Sequence, residues 1–195
     1  RSWMYRIRPS TPHKALVRIE PGGWATAPLA DPPDPNRYRW GPWEVPAAPT
    51  DFLAGLTTAM ANGDAEARVG CAVHVYLANR SMEDTAIANF DGEMLIAPQE
   101  GRLSIVTELG RLTVAPGEIV VVPRAMRFRV DLLDATARGF VGENYGNHLR
   151  LPELGPIGAN GLANPRDFQT PVAAYEDRAA SLRLVVKHVG TLWET

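Results

Sequence analysis

The sequence has little cysteine, no long apolar run and no block of one charge. Cys71 is the single cysteine among 195 residues, so no disulfide can form within the chain, which fits a reducing compartment such as the cytoplasm. No apolar run approaches the ~18 residues that suggest a membrane-spanning helix. Twenty Lys and Arg face 22 Asp and Glu, without a basic stretch that could follow a phosphate backbone. Neither nucleic acid nor a membrane is therefore expected as a partner.

Motifs of nucleotide, hydrolase and metal sites are also missing. The stretch GPIGANGLANPRDF, Gly155 to Phe168, has glycines at a spacing of three, but prolines surround it where a phosphate site needs a strand and a helix. No Gly-x-Ser-x-Gly elbow occurs. Each of the four histidines is isolated, with no acid or second His two residues on, so we expect no metal site in this chain.

Cys71 and His74 lie three residues apart in an apolar segment. Odd spacing in a strand sends two side chains to opposite faces, so the two residues do not form a catalytic pair. We expect Cys71 to be a small core residue.

Most of the chain predicts β-strands. From Gly70 to Tyr145 the strand candidates are CAVHVYLA, TAIANF, EMLIA, LSIVTEL, RLTVA, EIVVVP, MRFRVDL and RGFVGENY. The turn signals between them are Asp91-Gly92, Glu100-Gly101, Leu109-Gly110 and Pro116-Gly117. A recurrence of roughly 8 to 12 residues is typical of an antiparallel sandwich or barrel.

Three ranges differ in organisation. Residues 1–49 hold short alternating pieces between Pro and Gly clusters and predict an irregular arm with edge strands. Residues 50–150 predict the β domain. Residues 151–195 are first rich in Pro and Gly and end on the apolar segment LRLVVKHV, which predicts a connector loop and the start of a segment leading to a further domain. We expect the sequence to be part of a longer protein.

The segment TDFLAGLTTAMA, Thr50 to Ala61, predicts one short helix. Thr50 can cap it, and apolar residues at Phe52, Leu56 and Met60 fall on one helical face. Asn62-Gly63 can close it.

The segment GEIVVVPRAMRF, Gly117 to Phe128, resembles the second conserved motif of the cupin family. In that motif a Gly is followed, after five intervening residues, by Pro, and then by Gly and a metal-binding His. Ala125 stands at the second Gly and Phe128 at the His. The resemblance implies a mainly β, cupin-like jelly-roll β-sandwich, with the helix and the two irregular arms added, in which Phe128 fills the core and no metal is bound.

The first cupin motif, with its His-x-His ahead of a Glu and a Gly, would fall on residues 86–101. There only Glu93 and Gly101 stand in something like their places. The domain is therefore predicted to be a degenerate, metal-free member of that fold.

The run ENYGNHLRLPELGPIGANGLANPRDFQTPVAAYEDR, Glu143 to Arg178, resembles the homogentisate 1,2-dioxygenase family. Further matches are WMYRIRPS, DPPDPNRYRWGPWEVP, DFLAGL, SMEDTAIANFDGEMLIAPQEGRLSIVTELGRL and APGEIVVVPRAMRF. The resemblance implies an Fe(II) enzyme that opens the aromatic ring of homogentisate with O₂ to give maleylacetoacetate, in tyrosine and phenylalanine catabolism. It also implies two cupin-like domains and a hexamer built from trimers.

The family's iron ligands, two His and one Glu, belong to its C-terminal domain, and no position here matches them. The resemblance thus implies an N-terminal structural and oligomerisation domain that is inactive alone. For Asn160, Asn164 and Arg166 two interpretations stay open. They belong to a rigid connector, or one of them reaches the active site, where Arg166 could bind the substrate carboxylate by a bidentate pair.

Two other functions are considered. A metal-free cupin module could act only in small-molecule binding or assembly. A cupin sugar isomerase or epimerase is disfavoured, because the barrel has no His placed for proton abstraction.

Overall fold

The computed structural model describes residues 14–30, 34–37, 39–151, 165–177 and 179–195, and in it the chain forms two β-sheets around one main core. The mainly β class predicted from the sequence is confirmed. In chain order the strands are β1 Val17–Ile19, β2 Leu56–Asp64, β3 Val69–Ala78, β4 Thr85–Asn89, β5 Glu93–Glu100, β6 Leu103–Thr107, β7 Gly110–Val114, β8 Val120–Val122, β9 Arg127–Leu132, β10 Ala137–Asn144, β11 Arg183–His188 and β12 Thr191–Glu194. A short 3-10 helix covers Pro165–Asp167.

One sheet has seven strands in the order β1-β12-β11-β4-β9-β6-β7, and the other has five in the order β2-β3-β10-β5-β8. Strand β11 runs parallel to β4, with Lys187 beside Asn89, whereas β12 returns antiparallel to β11 and then pairs with β1. The seven-stranded sheet therefore takes strands from all three ranges predicted from the sequence.

The core lies between the sheets, because each strand alternates inward and outward side chains. In β10, Ala137, Val141 and Glu143 are buried, whereas Phe140 between them is exposed. The rings of Phe52 and Tyr76 pack with centroids 5.0 Å apart. Burying one large apolar side chain contributes about 1.5 to 3 kcal/mol.

The helix predicted over Thr50–Ala61 is wrong. Only its first turn forms: the backbone N–H of Gly55 donates to the Asp51 carbonyl at 2.9 Å, and the Asp51 side chain accepts from the Ala54 N–H. The chain then enters β2, which pairs with β3 along its length. Pairing with a buried neighbouring strand outweighs the apolar spacing that suggested a helix.

Cys71 is exposed, so its prediction as a core residue is wrong. The register of β3 places it on the outer face, beside Asn62 of β2 and Asn144 of β10. His74, three residues on, is fully buried, which confirms that the two residues face opposite sides of the sheet.

Phe128 is 2% exposed and belongs to the main core, as predicted from the cupin-like motif. Ala125, at the position of the motif's second glycine, has a φ of 64°. This left-handed conformation favours glycine, so the turn keeps the backbone shape of the motif without its usual residue.

Candidate functional site

A cluster of polar side chains lies inside the sandwich, where charged groups are rare. Glu143 of β10 is at its centre, 1% exposed. His74 comes from the neighbouring strand β3, and Asn89 and Lys187 come from β4 and β11 in the other sheet. Because Asn89 and Lys187 are register partners, the parallel pairing presents both side chains to the same carboxylate.

Both oxygens of Glu143 accept strong hydrogen bonds. The Lys187 Nζ donates to Oε1 at 2.8 Å and to Oε2 at 2.6 Å. Asn89 Nδ2 donates to Oε1 at 2.7 Å, and His74 Nε2 lies 2.9 Å from Oε2. Trp24 Nε1 adds a longer bond of 3.4 Å to Oε2. One carboxylate thereby connects the two sheets.

Both ring nitrogens of His74 form hydrogen bonds. Its Nδ1 lies 2.9 Å from the Thr58 hydroxyl, which also accepts from the Ala25 backbone N–H at 2.8 Å. In the neutral tautomer with the proton on Nε2, the ring donates to Glu143 and accepts from Thr58. The ring edge also faces Trp24, at a centroid distance of 6.4 Å.

The charged groups of this cluster interact with one another and so offset the free-energy cost of their desolvation. Desolvation raises the pKa of Glu143, but hydrogen bonds from His74, Lys187 and Asn89 and the charge of Lys187 outweigh it and lower that pKa to about 2. Desolvation lowers the pKa of Lys187, and Glu143 and Asp91 oppose that shift. Glu143 is therefore the anion around which the other groups are arranged.

Asp91 extends the cluster towards the turn between β11 and β12. Its carboxylate accepts from the backbone N–H groups of Val189 at 2.6 Å and Gly190 at 2.8 Å, and its Oδ2 lies 3.9 Å from Lys187 Nζ. The sequence marked Asp91 only as part of a turn. The two backbone hydrogen bonds show that it also anchors the hairpin that carries Lys187.

The cupin fold often holds a metal ion in its interior, but the residues of this interior do not fit one. The carboxylate of Glu143 is already paired with an ammonium group, and His74 and Asn89 donate to it. Within the described part of the chain no three His, Cys, Asp or Glu side chains are grouped so as to hold a metal. A metal site needs three free ligand atoms and an open position.

A comparison with models of protein families shows which family the chain belongs to. The family model described as homogentisate 1,2-dioxygenase N-terminal matches residues 1–195, which is the whole sequence. The chain belongs to this family.

Solved structures with a similar fold share little sequence with this family member. A putative mannose-6-phosphate isomerase from Ralstonia eutropha JMP134 is 15% identical, with a TM-score of 0.44, over 55% of this chain and 98% of that chain. A cupin superfamily protein from Desulfitobacterium hafniense DCB-2 is 10% identical, with a TM-score of 0.39, over 51% and 83%. A cupin-2 domain protein from Shewanella frigidimarina NCIMB 400 is 15% identical, with a TM-score of 0.34, over 38% and 70%. Each of these matches covers only part of this chain.

Two residues of the degenerate cupin motifs have other partners in this structure. Glu93, 3% exposed, accepts from the Leu149 backbone N–H at 2.6 Å and contacts His148 Nδ1 at 2.5 Å. It therefore holds the chain that leaves β10 and does not join the cluster around Glu143. Gly101 forms the turn between β5 and β6, with a φ of 77°.

Two open cavities among the described residues lie outside this cluster. The larger, of about 620 Å³, is lined by Ser81, Glu83, Asp84, Arg129, Asp131 and Glu176. Arg129 forms ion pairs there with Asp131, at 3.0 Å, and with Glu176. A smaller cavity of about 300 Å³ lies between the β2–β3 turn and the β11–β12 turn.

The substrate-contact hypothesis concerns the loop before residue 168. Asn160 and Asn164 lie outside the described residues. Arg166 is exposed in the 3-10 helix Pro165–Asp167. Its contact with a substrate stays a prediction. Among the described residues, no helix is both long and apolar enough to cross a bilayer.

Two members of the cluster had a signal in the sequence that our interpretation did not use. Glu143 falls two residues after Val141, and Lys187 falls two residues after Val185, so in a strand each shares the inward face of an apolar residue. A charge at such a position indicates a buried ion pair. The sequence could not show that the two would meet, because that requires the order of β11 and β4 in the sheet.

Proposed function

We propose that the chain is the N-terminal structural domain of a homogentisate 1,2-dioxygenase, a cytoplasmic enzyme. In this proposal the intact enzyme uses Fe(II) and O₂ to open the ring of homogentisate to maleylacetoacetate, in tyrosine and phenylalanine catabolism. The family match over residues 1–195 is the observation that carries the proposal. The iron ligands are assigned to the part of the enzyme outside this chain, because Lys187 already neutralises Glu143 in the interior.

The domain's own contribution is proposed to be packing and assembly into trimers and a hexamer. The outer face of the five-stranded sheet supports this role. It carries the apolar residues Val73, Val75, Leu95, Ala97, Val121 and Phe140, in adjacent register positions. Phe140 is 49% exposed and Val121 39% exposed. A contiguous apolar face of this kind is typical of a surface that packs against another domain or subunit.

The location of the iron ligands is tested in the full-length enzyme. Each of the four histidines of this chain is replaced in turn by Gln, and iron per subunit is measured in protein that elutes at the wild-type size. We expect iron content and homogentisate-dependent O₂ uptake to stay near wild type for the variants that fold. A variant that keeps the wild-type size but loses more than half its iron would contradict the proposal.

Arg166 is proposed to contact the substrate carboxylate in the assembled enzyme. The exposure of its side chain supports this, since a partner subunit can reach it. A lost bidentate ion pair typically costs 1.5 to 3 kcal/mol, so Arg166→Ala should raise the KM for homogentisate roughly tenfold or more. Arg18→Ala, at another exposed arginine, is the matched control. Unchanged KM and kcat in Arg166→Ala would leave the loop as a connector only.

A metal-free module that acts in assembly alone is the second candidate, and the same apolar face favours it. The two functions differ in one measurement. Homogentisate-dependent O₂ uptake by the natural full-length protein supports the enzyme, and its absence in an iron-loaded preparation supports the assembly module.

A further inference from the structure

Lys187 has no part in the proposed function, yet it is the most unusual residue of the interior. It is one of only two lysines in the sequence, the other being the exposed Lys14. Its side chain is 0% exposed. A buried ammonium group is costly unless its surroundings replace the water that it has lost.

Four residues, from three parts of the chain, surround the Lys187 ammonium. Glu143 accepts at 2.6 and 2.8 Å, and Asp91 Oδ2 lies at 3.9 Å. On its other sides the ammonium lies 4.6 Å from the centroid of the Trp24 ring and 5.9 Å from that of Tyr145. Carboxylates and aromatic faces therefore enclose it together.

This combination is specific for one class of cation. Aromatic faces attract ammonium groups through the ring quadrupole, within about 6 Å of the centroid. A divalent metal ion instead requires several free oxygen, nitrogen or sulfur ligands at close distance. His74 and Asn89 turn donors towards Glu143, so they are not arranged as such ligands.

We propose that the interior of this domain is an alkylammonium-binding site whose ligand is the chain's own Lys187. The proposal concerns this domain alone and does not depend on the reaction of the full-length protein.

The test removes the Lys187 ammonium by mutation and then adds a free amine of the same size. Lys187→Ala removes three methylenes and the ammonium, which together correspond to n-propylammonium. In the natural full-length protein we expect Lys187→Ala to lower the Tm of this domain by about 10 °C. We expect n-propylammonium to restore about 4 °C at a concentration tenfold above its Kd, and the gain to grow with the logarithm of concentration beyond that.

Two controls separate the charge from the volume. n-Propanol has almost the same shape without the charge, so we expect it to raise the Tm of Lys187→Ala by less than half as much. Wild type, whose site is filled, should not respond to n-propylammonium. Equal effects of the amine and the alcohol, or no effect of the amine, would overturn the proposal.

If Lys187→Ala does not fold, Lys187→Met carries the test, because it keeps most of the volume and removes the charge. We expect Lys187→Met to melt below wild type, and the double variant Lys187→Met/Glu143→Gln to recover at least half of the loss, since a neutral amide needs no cation. Lys187→Met as stable as wild type, or no recovery in the double variant, would refute the assignment.

Discussion

At the scale of single residues, the buried carboxylate of Glu143 is stabilised by the hydrogen bonds that it accepts. At least two cationic or polar donors approach each of its oxygens, from strands in both sheets. Removing a single partner leaves a charge or donor unpaired in a low dielectric, which costs more than the net gain of making the bond. The cluster is therefore expected to act as a unit.

The pH dependence of stability follows from the lowered pKa of Glu143. A carboxyl whose folded-state pKa is depressed stabilises the fold above its ordinary pKa of 4.5, and this contribution is lost as the pH falls towards about 2. The shift corresponds to about 3 kcal/mol. We expect Glu143→Gln to lower the free energy of unfolding by roughly this amount at pH 7, and by about 1 to 1.5 kcal/mol less at pH 3, which lies between the two pKa values.

Urea unfolding at the two pH values measures this difference, with the exposed Glu44→Gln as the control that should leave stability unchanged. A gap between wild type and Glu143→Gln that is the same at pH 3 and pH 7 would argue against a depressed pKa.

At the scale of elements, the strands were predictable where the sequence alternates, and the exceptions have physical reasons. All eight segments predicted between Gly70 and Tyr145 are strands. Strand β2 was predicted as a helix, because Phe52 and Leu56 are apolar at helical spacing. No residue pattern within the segment indicates that it pairs with β3. The contact of Lys187 with Glu143 could not be predicted from the sequence either, since it depends on the parallel pairing of β11 with β4, which are far apart in the chain.

Gly55 lies at the end of the turn that begins at Asp51 and directly before the start of β2. A Cβ at Gly55 would lie 1.9 Å from the Leu77 carbonyl oxygen, and backbone cannot yield as a flexible side chain can. We expect Gly55→Ala to destabilise the domain by more than about 2 kcal/mol, measured by urea unfolding.

Gly41→Ala provides the matched control, because a Cβ at Gly41 meets nothing within 4 Å. It should change stability by no more than about 0.5 kcal/mol. If both variants are equally stable, β2 does not pass as close to β3 as the structure has it.

At the scale of the whole molecule, the two sheets present different outer faces. Arginine and acid side chains pair on the seven-stranded sheet, as in Arg129 with Asp131 and Arg127 with Glu108. The five-stranded sheet instead exposes Phe140 and its apolar neighbours. This asymmetry supports a defined direction of packing in the proposed assembly.

Phe140→Glu tests that packing in the full-length protein. A charge in the centre of a buried apolar contact should reduce the assembled fraction at least tenfold, as measured by light scattering across a dilution series. Thr113→Glu adds the same charge to an exposed position of the seven-stranded sheet and should leave the oligomer intact. An unchanged oligomer in Phe140→Glu would remove this face from the assembly.

The pairing of β1 with β12 also has a consequence for how the chain is made. Val17 lies beside Glu194, so β1 cannot form these hydrogen bonds until β12, much later in the chain, has been synthesised. Strands β2 to β10 include all five members of one sheet and can associate earlier. Because long-range pairing is slow, we expect the insertion of β11 beside β4, with Lys187 reaching Glu143, to be a late step in the folding of this domain.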